Sequence, residues 1–305
     1  MFINQGYKAN KVLYHCKISS STWYSRKKGR GEDQRKHNKG RPIPGYSINP
    51  DGTLIPDNTI INVLKRMREM PEFSNGGGYH KLVHYLERDY NIFVNHKKLY
   101  RICSENHFLL PRKKKNKRHG KKISENRIIN GPNQLWQFDI KYGYIHGENR
   151  FFFLMAFIDV FYKKVIDFHV GLHCKASDIQ VTLDLALEKS GAETSNLVIR
   201  SDNGPQMTSY MFRKHIDEIN IEHEFTPCQT PNKNAFIESF FSIIEVEFLQ
   251  VNYFNSFAEA YKKIIWFIDF YNTYRLHGSL KNRSPEEFKN DWTDNKVMNY
   301  REERA

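Results

Sequence analysis

Strand-type alternation with a carboxylate at its centre is the feature that most limits what this 305-residue chain can become. Apolar Leu135, Phe138, Ile140 and Tyr142 punctuate the stretch LWQFDIKYG, which predicts a strand carrying Asp139 mid-length. A second short apolar run, Leu197, Val198 and Ile199, leads into Asp202 and the turn-forming Asn203, Gly204 and Pro205, so Asp202 falls at a strand's carboxyl end. Farther on the period changes. Ile237, Phe240, Phe241, Ile244 and Phe248 recur at helical spacing and set Glu238 on the flank of a helix. Two strand carboxylates and one helix carboxylate can then converge on one spot.

Among 34 Asp and Glu, the spacing of three acids discriminates little, and their settings have to supply the specificity. An unpaired carboxylate in the middle of a buried strand is expensive, so Asp139 calls for a partner. Asp202, taken alone before Asn-Gly-Pro, reads equally well as a plain turn residue. Hard divalent cations take oxygen ligands, and Mg²⁺ is commonly held by one or two carboxylates together with waters and substrate phosphate. Paired ions of this kind serve in-line displacement at phosphorus, a task suited to shared carboxylates.

These residues carry a resemblance. The segment from Trp136 to Phe288 resembles the catalytic core of the insertion-sequence-three (OrfB) transposases, relatives of the retroviral integrases. The matching stretches, in order, are WQFDIKY, FIDVFYKKVIDFHV, IRSDNG, NAFIESFF and FYNTYRLHGSLKNRSPEEF, with 35 residues between Asp202 and Glu238. The resemblance implies an α/β fold with an RNase H-like mixed sheet flanked by helices. In that fold Asp139, Asp202 and Glu238 would be both catalytic residues and ligands of two Mg²⁺ ions, with Mn²⁺ as a substitute. Asn203, Gly204 and Asn234 would support the site, with Ala235 leading to the glutamate. It also implies a transposase that cleaves DNA and transfers strands, with water and then a DNA 3′-hydroxyl as nucleophiles. Its partners would be double-stranded DNA (element ends and target), further copies of itself on that DNA, and an upstream-frame (OrfA-type) fusion. The chain departs from the family pattern at two positions, with Lys233 where an aspartate is usual and Glu245 where Lys or Arg is common. Two other readings stay open: an RNase H-like nuclease without joining activity, and a catalytically impaired DNA-binding regulator.

Charge is segregated along the chain. Residues 1–130 hold 28 of the 47 Lys and Arg against 10 of the 34 acids, a balance of +18, while the remainder stands at −5. Such asymmetry points to a polyanion-binding front end attached to a chemically active core. The expected organisation is a short helical segment (1–28), a Gly/Pro-rich linker (29–56) and a helix-turn-helix-like DNA-binding domain (57–110). A basic linker (111–130), the integrase-type core (131–290) and a tail (291–305) follow. In the third segment Ile60, Ile61, Leu64 and Met67 form a helical stripe from Asp57, and a second helix is expected over Tyr79–Arg88. A third begins behind an Asn95 cap, its basic Lys97, Lys98 and Arg101 suited to a major groove. Arg112, Lys113, Lys114, Lys115, Lys117, Arg118, Lys121 and Lys122 form a cationic strap for DNA phosphates. Arg275, in the stretch after a long amphipathic helix, is a further candidate for DNA contact. His80 and His84 share a helix face but lack a cysteine pair, so zinc is not expected. Four scattered cysteines make no disulfide framework, and no apolar run is long enough to cross a membrane, so a cytoplasmic location is expected.

Overall fold

The computed structural model describes residues 6, 8–16, 19–20, 23–24, 44–110, 127–226, 231–293 and 303–304. The basic strap from Arg112 to Lys122, most of the 29–56 linker and Cys228 lie outside the described residues. The chain forms two compact units, Met1–Ser47 and Ile48–Ala305. The first contains helix α1 (Ala9–His15), which buries Leu13.

The second unit begins with four helices, α2 (Asp57–Glu69), α3 (Pro71–Ser74), α4 (Tyr79–Tyr90) and α5 (His96–Glu105). The stripe on α2 buries Ile60, Leu64 and Met67 against Leu82, Tyr85 and Leu86 of α4 and Leu99, Ile102 and Cys103 of α5. Ile61 is only half-buried, because it lies at the edge of that stripe. The Asn95 side chain accepts from the Lys97 amide at 2.8 Å, the cap its residue type favours. Helix α4 runs two residues past the expected end and closes on Asn91 at φ 51°, a left-handed conformation that asparagine tolerates.

A five-stranded sheet follows: β1 (Leu135–Ile145), β2 (Arg150–Asp159), β3 (Val165–Gly171), β4 (Val198–Ser201) and β5 (Glu222–Phe225). The spatial order is β3-β2-β1-β4-β5. The first three strands are antiparallel, with Asp139 opposite Ala156, and β4 and β5 join in parallel, with Trp136 opposite Ile199. Gly143 faces Phe152 across the β1–β2 pair, where an added Cβ would lie 2.0 Å from the ring, so no larger residue fits. Crossover helices α6 (Ala176–Ser190) and α7 (Tyr210–Glu218) link β3 to β4 and β4 to β5. Helices α8 (Ala235–Glu247), α9 (Phe257–Thr273) and α10 (Pro285–Thr293) complete the unit.

Because side chains alternate across a strand, the sheet builds two cores. Ile145, Phe152, Leu154, Ala156 and Ile158 meet Ile237, Phe240 and Ile244 of α8 and Ile264, Phe267 and Ile268 of α9. Trp136, Phe138, Met155 and Phe157 on the opposite face meet Ile179 and Leu183 of α6 and Phe212 and Ile216 of α7. This strand order, with helices on both faces, is the RNase H-like α/β fold. Leu276, just past α9, enters the hydrophobic cluster of α2, α4 and α5, and its amide donates to the Tyr85 hydroxyl at 3.0 Å. Arg88 lies over the Tyr274 ring at 4.4 Å and reinforces that packing.

Candidate active site

Asp139 leaves the middle of β1 on the face that packs against α8, and its Oδ1 accepts from the Ile140 amide at 2.8 Å. Burial pushes its carboxyl up to about 6; Asp202 and Glu238 add to the rise, while the Ile140 amide and Lys141 oppose it. Two carboxylates that repel a third are near it, so the acids from β1, from the end of β4 and from α8 share one neighbourhood. Glu238 is also raised, by partial desolvation.

Asp202 follows directly on Ser201, the last residue of β4, and is exposed. The turn behind it is tied to it: the Gly204 amide donates to Asp202 Oδ1 at 2.9 Å, and Asn203 Nδ2 donates to the Thr226 carbonyl at 2.7 Å. A Cβ at Gly204 would come within 3.0 Å of Met207 Sδ and 3.1 Å of Asp202 Oδ1, so the glycine permits this close turn. Behind the strand end, the buried Ser201 hydroxyl lies 2.9 Å from His223 Nε2. Burial among aromatic rings lowers the His223 pKa to about 4, and the imidazole is neutral at physiological pH.

Glu238 stands in the first turn of α8, whose own Asn234 makes no side-chain cap. Asn234 is buried and instead donates through Nδ2 to the Phe138 carbonyl at 3.2 Å. The cap comes from β1. Gln137 Oε1 accepts the amides of Phe236 and Ile237 at 2.9 and 3.2 Å. The Lys233 carbonyl receives Gln137 Nε2 at 3.1 Å and Arg200 Nη1 at 2.9 Å, so that departure from the family pattern is used through its backbone.

Glu245 does not stand as a bare negative charge towards a DNA partner. Lys141, two residues beyond Asp139, binds it at 2.7 Å. Gln137 and Lys141 were both missed in the sequence, although i−2 and i+2 from a strand carboxylate share its face.

The chemistry of the donors suits a hard cation: three carboxylates offer oxygen donors, and the buried Asn234 Oδ1 is an acceptor with no hydrogen-bond partner. Among the described residues no three His, Cys, Asp or Glu side chains close around a metal position by themselves.

The candidate DNA contacts divide. Lys97 is exposed on α5. Lys98 and Arg101 turn back to Asp57 at the start of α2, at 2.6 and 3.3 Å, and Arg101 also pairs with Glu105. Arg275 is corrected from a DNA contact to an internal brace. It is 5% exposed, and two of its guanidinium nitrogens bind Glu247 at 2.7 Å each, because burial leaves the charge no other anion to meet.

Comparison with known proteins agrees with this architecture. A family model described as integrase core domain matches residues 129–231, and a second with the same description matches 219–285. The chain is 29% identical over 240 residues to the 39.2 kDa protein of insertion element IS476 from Xanthomonas euvesicatoria, covering 79% of this chain and 66% of that protein. It is 27% identical over 180 residues to the transposase for insertion sequence element IS904 of Lactococcus lactis, covering 56% of this chain and 69% of the relative. Transposase InsF for insertion sequence IS3A of Escherichia coli K12 is 27% identical over 178 residues, covering 56% and 61%. The chain thus spans about two thirds of the length of these relatives. With the matched stretch running from residue 129 to 285 through both sheet and site, the chain carries an integrase core domain and is similar to the transposases of the insertion-sequence-three type.

Proposed function

We propose that this chain is a transposase that cleaves and joins DNA phosphodiesters with Asp139, Asp202 and Glu238 as its metal-binding, catalytic acids. The observation that carries the reading is the Asp139 carboxyl, half-buried at mid-sheet and raised to about 6 by burial and by the other two acids. Such a crowded group favours a cation over bulk water, and perturbed carboxylates of this kind cluster at functional sites. Two bound Mg²⁺ ions, or Mn²⁺ in their place, would supply an activated oxygen nucleophile and charge neutralisation at the leaving oxygen. The protein's own part is orientation. β1 holds Asp139, the Gly204 amide fixes Asp202, and the cap on α8 aims Glu238.

Double-stranded DNA is the proposed partner, engaged by the strongly basic first 130 residues and by the α4–turn–α5 pair, whose exposed Lys97 lies in the first turn of α5. Assembly as a homo-oligomer on element ends, and fusion to an upstream-frame segment, belong to the same reading. The test is a strand-joining assay on labelled DNA bearing the flanking ends, with Mg²⁺ or Mn²⁺, comparing the chain with Glu238→Gln. Metal-dependent joined products that vanish in the variant are expected. Cleavage that never proceeds to joining would replace this reading with a nuclease.

A further inference from the structure

We infer that Gln137 is the positioning residue of this site: it locks the helix that carries Glu238 onto the strand that carries Asp139. The inference rests on the reading of the three acids as a metal-binding set. Helix α8 begins without a capping side chain of its own, so its first amides need an acceptor from elsewhere. Gln137, fully buried, provides one oxygen to two of them, at Phe236 and Ile237. Its amide nitrogen donates to the Lys233 carbonyl, where Arg200 of β4 also arrives. One side chain therefore holds both ends of the Lys233–Ile237 segment, and Glu238 is the next residue.

The placement follows from strand geometry. Gln137 and Asp139 are two residues apart on β1 and project to the same face, so the acid and the anchor of its counterpart move as one rigid piece. The residues entering α8 are tied to the same strand, Asn234 donating to the Phe138 carbonyl and the Lys233 carbonyl accepting from Gln137. Groups that orient metal-binding side chains cost about 10–100-fold in metal affinity when removed. Gln137 is fully buried and acts through the helix it caps, so it is a positioning residue.

The experiment uses the full chain and three readouts: amide hydrogen exchange at Phe236 and Ile237, Mn²⁺ titration calorimetry without DNA, and strand joining. Gln137→Met keeps the volume and removes the hydrogen bonds. It is expected to open exchange at both amides, weaken Mn²⁺ binding by about tenfold, and lower the joining turnover with little change in DNA half-saturation. Ile264→Val on α9, a destabilised control in the same core that takes no part in the cap's hydrogen bonds, is expected to leave Mn²⁺ affinity unchanged. Gln137→Glu keeps the acceptor oxygens and leaves Lys233 O to Arg200, so the two amides should stay protected. Wild-type Mn²⁺ affinity in Gln137→Met, equal weakening in Ile264→Val, or lost protection in Gln137→Glu would each overturn the assignment. A wild-type chain that binds no Mn²⁺ and is indistinguishable from Asp139→Asn would instead remove the functional reading, and this inference with it.

Discussion

Replacing Glu247 by methionine should expose how much of the fold hangs on one buried ion pair. Arg275 and Glu247 have side-chain exposures of 7% and 13% and meet through two 2.7 Å hydrogen bonds. Once the carboxylate is gone, no other carboxylate among the described residues acts on Arg275. His277 lies 3.5 Å from the guanidinium, and burial and neighbouring cations keep its pKa well below the ordinary imidazole value, so it stays neutral. Lys81 adds a like charge nearby. Arginine cannot shed its proton, so the variant must carry an uncompensated buried cation, at a cost of about 3–5 kcal/mol. At roughly 2–4 °C per kcal/mol for a unit of this size, the midpoint should fall by about 6–20 °C. The double variant Glu247→Met/Arg275→Met removes both charges and should recover most of that loss, because apolar replacement of a whole buried pair is often neutral or better. Urea denaturation of the wild type, both single variants and the double variant closes the cycle. A Glu247→Met loss below about 1 kcal/mol, or a double variant as unstable as the summed singles, would refute the argument.

Three further outcomes follow from named contacts. Asp139→Asn should stabilise the metal-free protein at pH 7 by about 1–3 kcal/mol while abolishing joining, because a carboxyl raised to about 6 is charged at a cost in the fold. The wild type should regain stability as pH falls from 7 towards 4, where the folded chain holds a proton that the unfolded chain has released; a pH-independent difference between the two in calorimetry would contradict this. Lys81 has its ammonium lowered to about 8, mainly by burial and then by Arg275. Between about pH 8 and the ordinary lysine value the unfolded chain therefore binds the extra proton, and wild-type stability relative to Lys81→Met should rise with pH; a flat difference in denaturation midpoints across that window would count against it. Gly143→Ala drives a methyl into the Phe152 ring and should lose about 1–3 kcal/mol by urea denaturation; a neutral result would mean the β1–β2 pair yields more easily than its packing suggests.

What the sequence determined by itself was local. The stripe on α2, the Asn95 cap, the strand under Asp139, the strand end before Asp202 and the helical flank of Glu238 all follow from periods of two and 3.6 residues or from turn chemistry. Each depends on neighbours within a few positions, and the backbone translates such patterns directly. Only the tertiary structure decided which charges are spent. Arg275 meets Glu247 across 28 positions, Arg101 meets Asp57 across 44, and Gln137 caps α8 from 99 and 100 positions away. A basic residue in sequence is an equal candidate for solvent, phosphate or a buried carboxylate, since its charge carries no period. Burial alone separates these fates, because an ion taken out of water must find its partner inside the fold. For the same reason Glu245, a departure along the chain from the Lys or Arg common at that position, proves to be the partner of Lys141 on β1.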